Sequence, residues 1–164
     1  MLNYYTIIGG SGFVGSMLCS DLDKMSFSIL DKAKSKFFPD ETQFCDIRSM
    51  NTIKIPSKTN TIILLAAEHR DDVYPTSLYY EVNVEGTRNV LDKMDEAGIK
   101  HLIFTSSVAI YGLNKINPNE DHTEDPFNHY GKSKWKAEKV IKEWHDKDPK
   151  GKSVTIIRPT VIFG

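Results

Sequence analysis

Tyr130 and Lys134 stand at an i, i+4 spacing where a helical pattern begins, so both side chains project from one face of that helix. A tyrosine with an ordinary pKa of about 10 is a poor base at neutral pH, but a lysine ammonium beside it favours the phenolate. Such a phenolate can take a proton from a secondary hydroxyl while hydride leaves the same carbon. Ser107 lies at the end of an apolar run, His101 to Thr105, where a hydroxyl would face a ligand crevice and hold that oxygen in line. Hydride leaving carbon needs an acceptor, and the N-terminal stretch supplies a place for one.

Thr6-Ile7-Ile8 passes into Gly9-Gly10-Ser11-Gly12-Phe13-Val14-Gly15, three glycines at spacing three between a strand pattern and a helix pattern. Gly9 permits a tight turn, Gly12 lets backbone amides approach a pyrophosphate, and Gly15 lets the helix pack against the strand. The helix dipole adds a pull on the anion. A second short strand, Phe27-Ser28-Ile29-Leu30, ends on Asp31, roughly 20 residues on, where a carboxylate accepts hydrogen bonds from an adenosine ribose. It would repel a phosphate there, so the cofactor read from these residues is NAD rather than NADP. The plainer reading of Asp31 is a solvated acid or turn former. With NAD in place, the positive nicotinamide adds to the pull of Lys134 on the Tyr130 phenol.

These groups need elements to position them. Phe13 to Leu22 reads as a helix, and Gln43-Phe44-Cys45 as a third strand. Asp46-Ile47 follows, an acid that either accepts from an adenine amino group, with Ile47 on the ring face, or caps a helix over Arg48 to Lys54. Thr61 to Ala67 is a central parallel strand, and Leu65, Ala66 and Ala67 at its end allow close approach to a cofactor. Glu68-His69-Arg70-Asp71-Asp72 is an adjacent run on a loop and does not have the look of a converging ligand set, so no metal site is expected. Tyr79 to Ala97 reads as one long helix stopped by Gly98, with Gly86 inside it for close packing. Thr105 closes the strand before Ser107. Leu113 to Asn128 is a polar surface loop over the site, and Tyr130 to Asp146 a helix with Ala137, Val140, Ile141 and Trp144 inward. Trp135 and Trp144 read as core or interface. Ser153 to Arg158 is the last strand. Strands alternate with helical patterns, which predicts an α/β fold: a Rossmann-type doubly wound parallel sheet with helices on both faces, residues 1–164 forming one NAD-binding domain.

Composition narrows the class. The 164 residues carry a net charge of -1, with 21 basic and 22 acidic side chains, which offers no footprint for nucleic acid or an anionic membrane. No apolar run approaches a membrane-spanning length. Cys19 and Cys45 are far apart, without a Cys-x-x-Cys, which fits a reducing compartment, and cytoplasmic location is the expectation.

Taken together, the glycine loop with Phe13-Val14, Asp31, Asp46-Ile47, Leu65-Ala66-Ala67, Asn83-Val84-Glu85-Gly86-Thr87, Ser106-Ser107 through Tyr111-Gly112, Tyr130-Gly131-Lys132-Ser133-Lys134 and Arg158-Pro159 resemble the extended short-chain dehydrogenases/reductases. The resemblance is to their NAD-dependent epimerase/dehydratase family, which acts on nucleotide sugars. It implies Gly9, Gly12, Phe13 and Val14 at the pyrophosphate, Asp31 at the ribose, Asp46 and Ile47 at the adenine, and Ala66 and Ala67 near the nicotinamide half. It further implies Tyr130 and Lys134 at the nicotinamide ribose, Asn83 near substrate and cofactor, and Ser107, Tyr130 and Lys134 as the catalytic set. A homodimer through the helices of residues 79–97 and 130–146 is implied as well, and exposed apolar stripes on both would support it.

Departures from the family pattern bear on the reaction. Sugar 4,6-dehydratases carry Thr-Asp-Glu where this chain has Ser107-Val108-Ala109, which argues against elimination of water. Sugar 4-epimerases carry an asparagine after the last strand's arginine, where this chain has Thr160-Val161-Ile162-Phe163. That leaves a less typical epimerase, a sugar ketoreductase, or a reductase of small ketones or sterol-like substrates open. Family members also continue into a C-terminal substrate domain, absent here, so the expectation is the cofactor half of a longer enzyme, or an NAD-binding module without turnover.

Overall fold

The structure is a computed structural model that describes residues 3–162. Six parallel strands form one sheet in the order β3-β2-β1-β4-β5-β6, with β1 Tyr5–Ile8, β2 Phe27–Asp31, β3 Thr42–Phe44, β4 Thr61–Leu64, β5 His101–Thr105 and β6 Ser153–Ile157. Apolar, β-branched runs make the central strands because both of their faces are covered. Thr6 and Ile7 of β1 are fully buried and Ile8 is 1% exposed. β1 runs in register between Phe27 to Leu30 of β2 and Thr61 to Leu64 of β4. The order reverses between β1 and β4, which opens a crevice beyond their C-terminal ends.

Alternation along each strand divides the core. Ile8, Leu30, Ile62, Leu64, Leu102 and Phe104 face α3 (Gly86–Glu96) and α4 (His129–Asp146), meeting Val90, Leu91, Met94, Ala137, Val140, Ile141 and Trp144. Full burial of each large aliphatic group there contributes roughly 1.5–3 kcal/mol. Trp144 Nε1 donates to Asp95 Oδ1 at 2.9 Å, tying α4 to α3. The other face packs Ile7, Phe27, Ile29, Phe38 and Ile63 under Cys19, Leu18 and Leu22 of α1 (Phe13–Asp21). Helices therefore lie on both faces.

Four expectations change. The stretch read as one helix from Tyr79 to Ala97 is α2 (Ser77–Tyr80), a widened π turn at Glu81–Glu85, and then α3. No α-helix forms over Arg48 to Lys54; a single 3-10 turn at Met50–Thr52 stands there, because the Asp46 side chain closes a local turn on Arg48 N. The segment 113–128 is irregular but does not lie over the cavity: Asp125 N donates to Ile110 O, and none of its residues lines the cavity described below. The apolar stripes that would support a dimer through the helices are not there. Among the described residues, the exposed large apolar side chains include Phe13 and Met17 of α1 and Ile157 of β6, and none lies on α2, α3 or α4. No helix among them is long and apolar enough to cross a membrane. Cys19 and Cys45 are buried free thiols, each pushed up to about 11 chiefly by burial.

Candidate active site

The crevice at the C-terminal ends of the strands is a cavity of about 640 Å³, in the size range of a cofactor site. Every sequence-predicted site residue but one lines it: Gly9, Gly12, Phe13, Val14 and Gly15 from the first loop and α1, Asp31 from β2, Asp46 and Ile47 after β3, Leu65, Ala66 and Ala67 after β4, Thr105 and Ser107 at β5, and Tyr130 and Lys134 from α4.

Its floor is the glycine loop. Gly9 has a φ of +87°, and a Cβ on it would sit 2.4 Å from Ala66 N, so the turn and the approach of the β4 exit both require glycine. Leu65 N and Ala66 N share Ile8 O, each at 2.8 Å, which is how the two strand exits are stitched together. A Cβ on Gly15 would meet Gly10 Cα at 2.4 Å: the helix packs on the loop itself, where a contact with the strand was expected. At Gly12 an added Cβ meets only Gly9 O at 3.5 Å, ordinary contact, so nothing within the chain demands glycine there.

Asp31 closes one end of the cavity. Its Oδ2 accepts from Ser11 N at 3.0 Å and its Oδ1 from Ala33 N at 2.9 Å, while Ser11 Oγ donates to Ala33 O. The carboxylate is thereby fixed at the cavity rim beside the glycine loop. Asp46 has a partner of its own: Arg48 grips it through Nε and Nη2, and that grip holds its carboxyl below the usual carboxylate range. Asp46 thus closes a local turn where a helix cap was one expectation, and it also lines the cavity.

Asn83 is the exception. It is 1% exposed and does not reach the cavity. Its Oδ1 accepts from Glu68 N at 2.8 Å, and its Nδ2 donates to Glu68 O at 2.9 Å and to Ser133 Oγ at 2.8 Å. Asn83 braces the site, clamping the β4 exit to α4 one residue behind the cavity wall.

The end that holds Tyr130 and Lys134 is built on α4. Asn128 Oδ1 accepts from Gly131 N at 2.8 Å, an N-cap that sets where the helix starts and hence which face Tyr130 and Lys134 share. Lys134 is 2% exposed, with its ammonium 4.2 Å from the centre of the Phe104 ring and no salt bridge within 4 Å among the described residues. Burial pushes it down to about 7, with Glu138 pulling the other way. Tyr130 differs from expectation: burial raises its phenol above the ordinary value, a hydrogen bond with Ser107 opposes the rise, and the lysine does not enter. A positive ring bound in the cavity would act on both groups.

Ser11, Ala33, Glu68, Ser106, Pro159 and Thr160 also line the cavity and were not expected as site residues from the sequence. Their common signal is position just beyond a strand's C-terminal end. Ser106 Oγ is a buried side-chain oxygen without a hydrogen-bond partner. That orphan, the glycine floor and the carboxylate at the rim fit a dinucleotide: amides and helix N-terminus for a pyrophosphate, an acceptor for ribose hydroxyls, a donor deep in the cavity.

Residues 5–164 match the NAD dependent epimerase/dehydratase family. The N-acetyl-alpha-D-glucosaminyl-diphospho-ditrans,octacis-undecaprenol 4-epimerase of Escherichia coli O157:H7 is 58% identical over 160 residues, covering 96% of this chain and 48% of that protein. The UDP-glucose 4-epimerase of Lactobacillus helveticus is 32% identical over 156 residues, 86% of this chain and 46% of that one. UDP-glucose 4-epimerase from Brucella ovis in complex with NAD has the same fold, with a TM-score of 0.80 at 24% identity over 95% of this chain and 51% of that chain. The chain spans about half the length of the curated relatives it matches. Matched over nearly all its length, and with a cavity shaped for a dinucleotide, the chain belongs to the NAD-dependent epimerase/dehydratase family, whose cofactor is NAD.

Proposed function

We propose that the whole protein is an NAD-dependent epimerase acting at a secondary alcohol of a sugar carried on a diphosphate, with Ser107, Tyr130 and Lys134 as its catalytic set. The observation that carries this reading is that the three side chains line one cavity together with the glycine loop and Asp31. Gly9, Gly12, Phe13, Val14 and Gly15 would hold the pyrophosphate of NAD. Asp31 would hold the adenosine ribose, Asp46 and Ile47 the adenine side, and Leu65, Ala66, Ala67 and Thr105 the middle of the cofactor. NAD, when bound, supplies the hydride acceptor. Tyr130 takes the hydroxyl proton, Ser107 holds that oxygen in line, and Lys134 supports the phenolate and the nicotinamide ribose. Epimerisation follows when the ketone is reduced again from its other face.

Two carriers are distinguished by observation. A nucleotide is the first reading. A polyprenol diphosphate is the second, favoured by the 58% identity to an enzyme whose name specifies that carrier. It also suits a chain with Thr160-Val161 where nucleotide-sugar 4-epimerases carry asparagine; Phe163 lies outside the described residues. The chain alone, half the length of its relatives, is proposed to bind NAD without turnover. Cytoplasmic location rests on the two buried free thiols, and fractionation of cells tests it. The homodimer is carried over for the whole protein, and light scattering at micromolar concentration tests it.

The deciding experiment is Tyr130→Phe in the full-length protein, assayed by sugar analysis on N-acetylglucosamine linked to UDP and to undecaprenyl diphosphate. The expected loss is at least ~100-fold in kcat with the preferred carrier. Unchanged turnover would remove Tyr130 from the chemistry.

A further inference from the structure

Beyond the cavity, the charge on α4 is distributed in an uneven way. Glu138 is one helical turn past Lys134 and on the same face, so it is the carboxylate best placed to neutralise the buried lysine. It is engaged elsewhere. Arg158, at the exit of β6, donates to it twice, Nε to Oε1 at 3.1 Å and Nη2 to Oε2 at 2.7 Å, with side-chain exposures of 17% and 8%. The same guanidinium donates through Nη1 to Tyr111 Oη at 2.5 Å and lies 5.3 Å from the centre of that ring. Tyr111 ends the turn that begins at Ser107, and Val108 N in that turn donates to Pro159 O at 3.1 Å. One buried ion pair thus connects the helix of Tyr130 and Lys134, the turn of Ser107 and the strand exit that supplies Pro159 and Thr160 to the cavity wall.

We propose that Glu138 and Arg158 are a positioning pair: the guanidinium holds the Ser107 turn against α4 and occupies the carboxylate that would otherwise neutralise Lys134, leaving the lysine's charge directed at the cavity. The proposal rests on the reading of Lys134 as a cofactor-side group, but not on the substrate or on turnover.

Other groups turned toward this region are accounted for. Tyr130 and Glu138 come from α4, Tyr111 from the turn after β5, and Glu124, 3.8 Å from Arg158, from the loop before α4. Glu68 and His69 come from the β4 exit, and Asp31 and Asp46 from the far rim. In Arg158→Met, Glu138 is released to face Lys134, so the lysine holds its proton to higher pH. In Glu138→Gln, the one carboxylate that favours the ammonium is lost and a bare guanidinium is left, so it releases its proton at lower pH. Removing both charges together restores the balance.

The test is the pH dependence of NAD affinity, by calorimetry on the full-length protein, with Lys134→Met marking which limb belongs to the lysine. Arg158→Met is expected to move that limb up by about one pH unit and Glu138→Gln to move it down by a similar amount, about ten-fold in proton affinity each. Arg158→Lys should keep the parental profile, and Glu138→Gln with Arg158→Met should return toward it. Limbs that move the same way in both single variants, or do not move, would overturn the proposal. If either single variant fails to fold, Glu138→Met with Arg158→Met, an apolar replacement of the whole pair, carries the test: its limb stays within about half a pH unit of the parent's, and a larger displacement overturns the pair's balanced role. Loss of turnover in Tyr130→Phe bears on the reaction alone and leaves this measurement readable.

Discussion

Gly12 has room for a side chain that the sequence does not use. Its φ of -73° suits any residue, and a Cβ there reaches nothing nearer than Gly9 O at 3.5 Å. Gly9, with positive φ and backbone 2.4 Å from the added carbon, has no such room. The two glycines therefore separate what the fold needs from what a bound pyrophosphate would need. Gly12→Ala should lower the melting temperature of the chain by only about 2–4 °C, since alanine in place of glycine at an N-cap costs about 1 kcal/mol, while weakening NAD binding at least ~10-fold by calorimetry. Gly9→Ala should lower the melting temperature by several degrees. Parental NAD affinity in Gly12→Ala would mean the loop is not the pyrophosphate cradle. At this scale the sequence was readable where spacing carries the chemistry: glycines at period three, an acid at a strand end, Tyr130 and Lys134 on one helical face. It was not readable where a partner is distant in sequence, as with Asn83 and Ser133 or Tyr111 and Arg158.

The largest misreading at the scale of elements is the stretch from Ser77 to Glu96. Apolar periodicity there reads as one α-helix, yet Val82, Asn83 and Val84 are buried in succession, which a regular 3.6-residue repeat does not do. The π turn turns all three inward, and Asn83 supplies its cause: two bonds to the Glu68 backbone, one to Ser133, and its own carbonyl taken by Thr87 Oγ1 at 2.7 Å. Long-range side-chain bonds of this kind leave no local pattern. Asn83→Ala strands the Glu68 amide and carbonyl behind the cavity wall, while Ser133 Oγ keeps its bond to Tyr130 O. Each buried orphan costs about 1–3 kcal/mol, and at about 2–4 °C per kcal/mol the melting temperature should fall by roughly 5 °C or more. Thermal melts followed by far-UV circular dichroism check this; an unchanged midpoint would show that the β4 exit is held to α4 by packing alone.

Across the whole molecule, coverage of the sheet is graded. β1 and β4 are flanked by strands on both sides, and their inward residues Ile7, Ile8, Ile62 and Leu64 are at most 1% exposed. β6 pairs only with β5 and alternates exposed with half-buried residues, Ile157 reaching 47% exposure, while β3 is three residues long and leaves Phe44 67% exposed. The alternating βα order predicted the sheet and its parallel sense; it could not predict this gradient, because coverage depends on which helix crosses which strand. On the α1 face the core cluster takes in β1, β2 and Ile63 of β4, reaches β5 only through the half-buried Ile103, and includes no described residue of β6. Local opening should follow the gradient, since it costs least where few apolar contacts are lost. Under native conditions, the hydrogen-bonded amides of β3 and β6 are expected to exchange with deuterium at least ~10-fold faster than those of β1 and β4. Equal protection across all six strands would mean that the sheet opens only as a unit, and that the exposed side chains on β6 do not mark a weaker edge.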